Sequence, residues 1–318
     1  MKLILGTMTF GESVFAPEAE GFIRRFLEAG GEELDTAYVY NEGASERLIG
    51  GALKNIGRDK VRIATKVNPR ISGRLDGAAA RMQLEESLKR LGTEQVDTFY
   101  LHFPDPATPV ADVLETCHTL HREGKFRELG LSNFPAWMVT DVCHLCREKG
   151  WIQPAVYEGI YNPLTRRAEE ELKACLTHFG LRFYAYNPLA GGLLTGRYSA
   201  YEAAPEEGRF THRPNYQGRY WKKSFFEAAA LLREAAGREG LSLAEAVLRW
   251  LVHHSMLQEA AGDGLILGAS KQAHLEQNLM AAAQGPLSRE LQDAFENAWQ
   301  LTKGDAPHYF TLYRGKGK

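Results

Sequence analysis

Cysteine is scarce in this sequence, and only one pair has a spacing that could matter chemically. Cys143 and Cys146 form a CxxC in a segment predicted to be helical, with no second pair and no histidine at metal-ligand spacing. This pattern is too weak to predict a redox or metal site. So few cysteines are typical of a reducing cytosol.

Long apolar runs are also missing. No stretch reaches the roughly 18 uninterrupted apolar residues that a membrane helix requires. The N-terminal sequence MKLILGTMTFG lacks the apolar core and the small-residue cleavage site of a signal peptide. The formal net charge is only −2, so no basic field is available to attract nucleic acid or an anionic membrane. We expect a cytoplasmic protein with neither kind of partner.

What the sequence does contain is a repeated alternation of short apolar strands with amphipathic helices over 318 residues. Such strands, bounded by Gly, Pro or Asn, are typical of parallel strands that are buried on both faces. They are predicted at Lys2–Leu5, Glu32–Leu34, Val61–Thr65, Val96–Leu101, Glu128–Leu131, Pro154–Tyr157, Leu181–Tyr186 and Gly264–Leu267.

Eight such units predict an α/β fold, a (β/α)₈ TIM barrel forming a single domain over residues 1–318. A doubly wound open sheet is the alternative, but the first strand is not followed by a GxGxxG turn. Helices are predicted to start near Ser45, at Arg81–Leu91, and after Ser242, where Glu245 completes a capping box ahead of Ala246–Val252.

Two regions depart from the alternation. Gly196–Ser224, after the seventh strand, is long, polar and rich in aromatic residues, and loops of this length in compact domains usually have a function as a lid or a binding loop. Lys303–Lys318 forms a C-terminal extension of mixed composition whose end is expected to fray.

Polar residues stand at the ends of three successive predicted strands. Asp35 ends the second, Lys66 the third and His102 the fourth, while Tyr40 lies in the loop after the second. In a parallel barrel, the carboxyl ends of all strands meet at one face, which is the catalytic face of this architecture. We therefore expect these four side chains to form one site.

The four residues suit proton donation to a carbonyl oxygen. A tyrosine hydroxyl has an unperturbed pKa of about 10, and a neighbouring ammonium stabilises the phenolate and lowers that pKa. Asp35 could keep a buried Lys66 charged, and His102 could orient and polarise the carbonyl. Reduction also requires a hydride donor, which no side chain can provide.

Six stretches of the chain resemble the aldo-keto reductase family, and within it the aflatoxin-aldehyde reductase branch. They read ELDTAYVYNEGASE, RIATKVNP, LKRLGTEQVDTFYLHFPDPATPV, EGKFRELGLSNF, HFGLRFYAYNPLAGGLLTGRY and ILGASKQAHLEQNL. The resemblance implies a (β/α)₈ barrel that reduces aldehydes with NADPH. It makes Tyr40 the general acid, Lys66 and Asp35 its activating pair, and His102 the residue that orients the carbonyl.

The same resemblance implies a set of NADPH contacts. Ser132, Asn133 and the residue at 158 would hold the carboxamide, Tyr186 would stack on the nicotinamide, and the loops after strands seven and eight would bind the phosphates and adenosine. The remaining predicted contacts are Asn187, Leu189, Gly191, Leu193, Arg197, Gly268, Ser270, Lys271, His274, Gln277 and Asn278. Independently, phosphate sites in such barrels lie after strands seven and eight, at a helix N-terminus.

Three positions depart from the family pattern. Glu158 stands where the family has Gln, and an ionised carboxylate accepts hydrogen bonds but cannot donate them. His274 replaces another Gln, and Lys271 stands where the branch often has Ser. Because Lys271 adds a cation near the expected 2′-phosphate, we predict a preference for NADPH over NADH.

For the substrate, Tyr216 and Arg219 match positions that contact it in this branch. A guanidinium at Arg219 would pair with a carboxylate remote from the aldehyde, which predicts short acidic aldehydes such as succinic semialdehyde. The C-terminal HYFTLYR lacks the basic residue that the family places after Tyr-Phe, and Arg314 is a possible substitute.

Two other functions are compatible with the same fold. One is a cofactor-sensing binding protein, like the channel-regulating relatives, which would bind NADPH with negligible turnover. The other is a Schiff-base aldolase that uses Lys66, which the presence of Asp35, Tyr40 and His102 disfavours. The branch also suggests a homodimer.

Overall fold

The computed structural model of the protein describes residues 1–203, 205 and 208–315, and its strands close into a parallel barrel. Each strand pairs with the next in sequence, and the last pairs with the first, with Leu5 beside Leu267. The strands are β1 (Lys2–Gly6), β2 (Glu33–Asp35), β3 (Arg62–Val67), β4 (Val96–Leu101), β5 (Phe126–Ser132), β6 (Pro154–Ile160), β7 (Arg182–Tyr186) and β8 (Gly264–Gly268). The predicted (β/α)₈ barrel is confirmed, and the doubly wound alternative was wrong.

Helices lie outside the barrel and pack their apolar faces on it. They are α1 (Glu18–Glu28), α2 (Ala44–Ile56), α3 (Pro69–Ser72), α4 (Gly77–Leu91), α5 (Val110–Arg122), α6 (Ala136–Lys149), α7 (Leu172–Phe179), α8 (Arg209–His212), α9 (Pro214–Tyr220), α10 (Lys223–Arg238), α11 (Leu243–His253), α12 (Gln272–Ala282) and α13 (Arg289–Thr302). None of the described helices is long and apolar enough to cross a membrane.

Helix starts follow the capping chemistry where a short polar side chain precedes the helix. Ser242 accepts a hydrogen bond from the backbone N–H of Glu245 at 3.2 Å, which confirms the predicted start of α11. Helix α4 begins at Gly77, four residues earlier than predicted, because Asp76 accepts from the N–H of Ala79 at 2.8 Å and caps the helix.

The predicted helix start near Ser45 is confirmed, although Ser45 itself is not the cap. Helix α2 begins at Ala44, after Gly43 in a left-handed conformation, and Ser45 lies inside the first turn. Its buried hydroxyl instead donates to the carbonyl of Thr7 at 3.0 Å and lies 2.8 Å from the hydroxyl of Thr36. Ser45 therefore ties α2 to the ends of β1 and β2, next to Asp35.

Alternation along the strands divides the barrel interior into layers. A lower layer is apolar or aromatic and includes Ala64, Tyr100, Val156 and Tyr184. Two residues further along the same strands, the next inward positions carry Lys66 on β3, His102 just after β4, Glu158 on β6 and Tyr186 on β7. Strands β3 and β6 both extend beyond their predicted ends, so Lys66 and Glu158 lie within strands rather than after them.

The C-terminal extension packs on the same end of the barrel. The backbone N–H of Thr311 donates to the carbonyl of Asn133 at 3.1 Å, and that of Tyr313 to the carbonyl of Pro104 at 2.9 Å. These hydrogen bonds hold the extension as far as Tyr313, and the end that was expected to fray includes residues 316–318, which lie outside the described part of the chain.

Candidate active site

Lys66 and Asp35 form a buried ion pair at the carboxyl ends of β3 and β2. The Lys66 Nζ lies 2.5 Å from Asp35 Oδ1 and donates to the carbonyl oxygen of Thr36 at 2.8 Å. The Lys66 side chain is 0% exposed. Burial and the two carboxyl groups nearby act on the Lys66 pKa in opposite directions, and the net effect raises it, so Lys66 stays charged.

Tyr40 lies above this pair, at the start of a short 3₁₀ turn, Tyr40–Gly43. Its ring centroid is 5.2 Å from Lys66 Nζ and 6.1 Å from the His102 ring, which meets it edge-on at 80°. The turn is held by Asn41, whose amide donates to the carbonyls of Met8 and Phe10, each at 2.8 Å. The structure thus brings all four residues together.

The predicted lowering of the Tyr40 pKa does not hold for this site. Burial of the phenol raises the Tyr40 pKa more strongly than Lys66 lowers it, the nearby carboxyl groups also act to raise it, and the net pKa of Tyr40 is raised. The hydroxyl is consequently protonated at physiological pH, as a proton donor must be.

His102 is held by an amide that the sequence analysis did not single out. Asn68 Nδ2 lies 3.2 Å from Nδ1 of His102, and Asn68 is itself fixed by Gln83, which accepts from its backbone N–H at 2.9 Å and donates to its carbonyl at 3.1 Å. Burial and the neighbouring cations Lys66 and Arg70 hold the His102 pKa well below its usual value. The only hint in the sequence was an Asn-Pro step just after a strand, typical of a helix N-cap.

Glu158 joins the Lys66–Asp35 pair from the opposite side of the barrel. Its Oε2 lies 3.3 Å from Lys66 Nζ, and its side chain is 4% exposed. From the sequence, Glu158 was predicted only as a contact to the cofactor amide. The structure places it close to Lys66 and Asp35, below Tyr40, which follows from its inward position on β6 and could not be read from a local pattern.

Ser132, Asn133 and Tyr186 form a hydrogen-bonded chain along the ends of β5 and β7. The Tyr186 hydroxyl donates to Asn133 Oδ1 at 2.7 Å, and Asn133 Nδ2 donates to the Ser132 hydroxyl at 2.9 Å and to the carbonyl of His102 at 3.0 Å. Asn133 has a left-handed φ of 62°, a conformation that Asn tolerates better than most residues. The chain fixes the Tyr186 ring at the mouth of the barrel.

The loop after β7 turns tightly past the barrel mouth. Asn187 and Ala190 have positive φ angles, and Gly191 has a φ of 71°. A Cβ atom on Gly191 would lie 2.7 Å from the Tyr216 ring, so glycine is required there. The amide Nδ2 of Asn187 is buried without a hydrogen-bond partner among the described residues. Of the other predicted contacts in this loop, Leu189 is half-buried, Leu193 is buried and Arg197 is exposed.

After β8, the predicted contacts gather around the start of α12. Lys271 precedes the helix without a side-chain cap, which leaves the first N–H groups open. Burial and the charges of Lys271 and Arg197 lower the His274 pKa. Open N–H groups and clustered cations make this end of α12 suited to a phosphate. Of the other predicted contacts here, Gly268, Ser270 and Gln277 are exposed, whereas Asn278 is buried within the helix packing.

The long segment after β7 spans the barrel mouth. Arg213 donates to Glu12 at 3.0 Å and to Asn41 Oδ1 at 2.9 Å, which joins the segment to the far rim. Tyr216 is 5% exposed and donates to Asn187 Oδ1 at 3.3 Å. It is therefore packed against the β7 loop, and the predicted loop contains α8 and α9.

Two arginines lie close to each other on the rim, and one of them, Arg70, also acts on His102. Arg219, on α9, is positioned over the rings of Tyr216 and Tyr220, at 5.5 and 5.8 Å. Arg70, which the sequence analysis missed, lies 4.3 Å from the ring centroid of Phe103, which stacks on His102. Burial and the charge of Arg219 lower the Arg70 pKa, so the two guanidinium groups repel one another.

The CxxC lies away from this site, on α6. Cys143 and Cys146 are buried and unpaired, and burial raises the pKa of Cys146 to about 11. Both thiols are therefore inert at neutral pH. Among the described residues there is also no group of three or more His, Cys, Asp or Glu side chains placed to hold a metal ion.

The chain is similar to known proteins over nearly its whole length. The model of the Aldo/keto reductase family matches residues 2–300. The chain is 50% identical to human aldo-keto reductase family 7 member A3, over 96% of both chains, and 50% identical to human aflatoxin B1 aldehyde reductase member 2, over 96% of this chain and 89% of that protein. It is 34% identical to the oxidoreductase sirO of Leptosphaeria maculans, over 96% of each.

Proposed function

Because the chain belongs to the aldo/keto reductase family, we propose that it reduces aldehydes to alcohols with NADPH, and that Tyr40 is the proton donor. The observation that carries the proposal is the buried Lys66–Asp35 contact of 2.5 Å beneath the Tyr40 ring. A cation fixed in this place stabilises the phenolate that forms when the Tyr40 proton leaves.

His102 completes the carbonyl site. Asn68 Nδ2 can only donate, so Nδ1 of His102 accepts and the imidazole proton is assigned to Nε2. A neutral imidazole with this tautomer donates to the carbonyl oxygen, next to Tyr40, and helps to polarise the carbon for hydride attack.

The residues present fit a nicotinamide dinucleotide. Two buried polar atoms, Glu158 Oε2 and Asn187 Nδ2, form no hydrogen bond with the described residues, and they lie near the ends of β6 and β7, where the carboxamide would be held. Arg197, Lys271 and the open start of α12 would hold phosphates. When bound, the dihydronicotinamide supplies the hydride, and Tyr186 provides a fixed ring for stacking.

The substrate class we propose is short aldehydes that carry a carboxylate, such as succinic semialdehyde. Arg70 lies beside His102 and Arg219 acts on Arg70, and neither forms an ion pair with a carboxylate among the residues the structure describes. A guanidinium without a carboxylate partner readily pairs with a substrate carboxylate.

The test is NADPH oxidation, followed by absorbance, with succinic semialdehyde and with the neutral 4-nitrobenzaldehyde. We expect turnover with both and a lower KM for the acidic aldehyde. Tight NADPH binding without oxidation of the cofactor by either aldehyde would contradict the proposal and favour the cofactor-sensing alternative.

A further inference from the structure

We propose that Glu158 holds a proton that it shares with Asp35, so that the two carboxyl groups together balance the single charge of Lys66, and that loss of this proton slows reduction. Glu158 then acts as a positioning residue for the proton donor, through Lys66. The kinetic part of this inference rests on the proposed function, whereas the protonation itself does not.

The geometry places two carboxyl groups against one ammonium in a closed space. Asp35 comes from β2 and Glu158 from β6, on opposite sides of the barrel, and they approach Lys66 Nζ at 2.5 and 3.3 Å. The three side chains are 6%, 4% and 0% exposed, so water does not screen them. Two ionised carboxylates here would leave one uncompensated buried negative charge, which is strongly unfavourable.

The contacts indicate which group holds the proton. Asp35 has the shorter, hydrogen-bonded contact with Lys66, which favours its ionised form. As a carboxylate, Glu158 would face Lys66 Nζ at 3.3 Å, but its Oε2 would receive no hydrogen bond from the described residues. As a carboxylic acid, it instead donates to Asp35, an interaction that lowers the Asp35 pKa and raises that of Glu158.

Other groups that face Glu158 add no positive charge. They are phenols from three further positions around the barrel, namely Tyr40 after β2, Tyr100 on β4 and Tyr186 on β7. Among the residues that the structure describes, Lys66 is thus the one cation that acts on Glu158. Burial and the Asp35 charge raise the Glu158 pKa to about 8, so the proton is lost just above neutral pH.

Loss of this proton changes the charge beneath Tyr40 from zero to −1. The phenolate that Tyr40 forms when it donates its proton would then face a net negative group instead of a balanced one, which opposes proton transfer. Reduction should accordingly decline along a single-proton limb near pH 8 and above.

The decisive variant is Glu158→Gln, which has nearly the same shape and cannot ionise. Difference infrared spectra of the full chain between pH 6 and pH 10 should show loss of one protonated-carboxyl band, and this band should be missing in Glu158→Gln. Glu33→Gln is the matched control, since Glu33 also faces the interior from β2 but pairs with Lys2 at 2.5 Å. The control should retain the band.

The kinetic arm measures kcat/KM against pH with NADPH and 4-nitrobenzaldehyde. For the parent, kcat/KM should fall about tenfold for each pH unit above the Glu158 pKa, because one proton is lost. Glu158→Gln should not show this decline. A variant that keeps the limb would overturn the inference, as would a band that persists in Glu158→Gln. If neither protein showed turnover at any pH, the proposed function would be overturned. The infrared result would still decide whether Glu158 is protonated.

Discussion

The amide nitrogen of Asn68 lies 3.2 Å from Nδ1 of His102, and this one contact fixes which imidazole nitrogen can donate toward the barrel mouth. Asn68 also caps α3 through its Oδ1, which accepts from the N–H of Arg70 at 3.0 Å, so its Nδ2 cannot exchange places with Oδ1 without losing the cap. The side chain is therefore fixed in the orientation that leaves the Nε2 proton available.

Replacing Asn68 with aspartate should reverse the tautomer. An aspartate keeps the helix cap but offers His102 Nδ1 an acceptor, which draws the imidazole proton from Nε2 to Nδ1. We expect kcat to fall by about 100-fold, the typical effect of removing one donor to a developing oxyanion. The kcat of Asn68→Ala should fall less, because neither tautomer of His102 is then imposed by residue 68. Parent-level kcat in Asn68→Asp would contradict the assignment.

Tyr40→Phe should abolish turnover while nucleotide affinity stays close to that of the parent. The variant removes the proton that the carbonyl oxygen receives and leaves the phosphate-binding loops unchanged. General acid catalysis typically contributes a factor of about 10² to 10⁴. The measurements are kcat with 4-nitrobenzaldehyde and the NADPH Kd from protein fluorescence. A variant that still reduced the aldehyde at the parent rate would exclude Tyr40 as the donor.

Lys66→Met should destabilise the fold in a pH-dependent way. Removing one partner of a buried ion pair typically costs about 3–5 kcal/mol, because the charge that remains has no partner. The Asp35 pKa is already raised by burial, and without Lys66 it should rise further, so the folded state binds more protons than the unfolded state above about pH 4. Stability should therefore fall as pH rises.

Urea unfolding at pH 5 and pH 8 measures this effect, with the larger loss expected at pH 8. Asp35→Asn is the matched comparison, since Lys66 then still has Glu158 at 3.3 Å. We expect a smaller loss for Asp35→Asn at pH 8. Equal losses for both variants, independent of pH, would argue against a charge-balanced group.

Lys271→Ala should weaken NADPH binding and leave NADH binding nearly unchanged. Lys271 is exposed at the start of α12, and we predict that its ammonium contacts the 2′-phosphate, which NADPH carries and NADH lacks. For the parent we expect at least about tenfold preference for NADPH, equivalent to about 1.4 kcal/mol. KM values for both nucleotides test this, with Lys149→Ala on α6 as a control distant from the site. Equal KM values for the parent would refute the preference.

Arg219→Ala should raise KM for succinic semialdehyde and leave KM for 4-nitrobenzaldehyde close to its parent value. The neutral aldehyde has no carboxylate for the guanidinium to bind, so the ratio of the two KM values isolates the charge interaction. Arg70→Ala should change the ratio in the same direction, since Arg70 belongs to the same rim. An unchanged ratio in both variants would remove the basis for an acidic substrate.

Much of this site was predictable because a parallel barrel converts order along the chain into proximity. Asp35, Lys66 and His102 each follow a short apolar run, and the carboxyl ends of such strands converge on one face. Their proximity could therefore be expected from strand order alone, without knowledge of any contact between them. Glu158 lies on the same face, but its closeness to Lys66 depends on the barrel's diameter and on side chains that extend inward from opposite strands.

The sequence by itself determined the strand–helix alternation, the barrel and the membership of the catalytic group, because these depend on periodicity and on the order of residues along each strand. Only the tertiary structure decided the electrostatics, for a physical reason. Burial and the distances between strands far apart in sequence set the pKa of each group. For this reason the Tyr40 pKa is raised despite the nearby Lys66, and Glu158 lies within 3.3 Å of Lys66. The position of Asn68 likewise decides which nitrogen of His102 carries the proton.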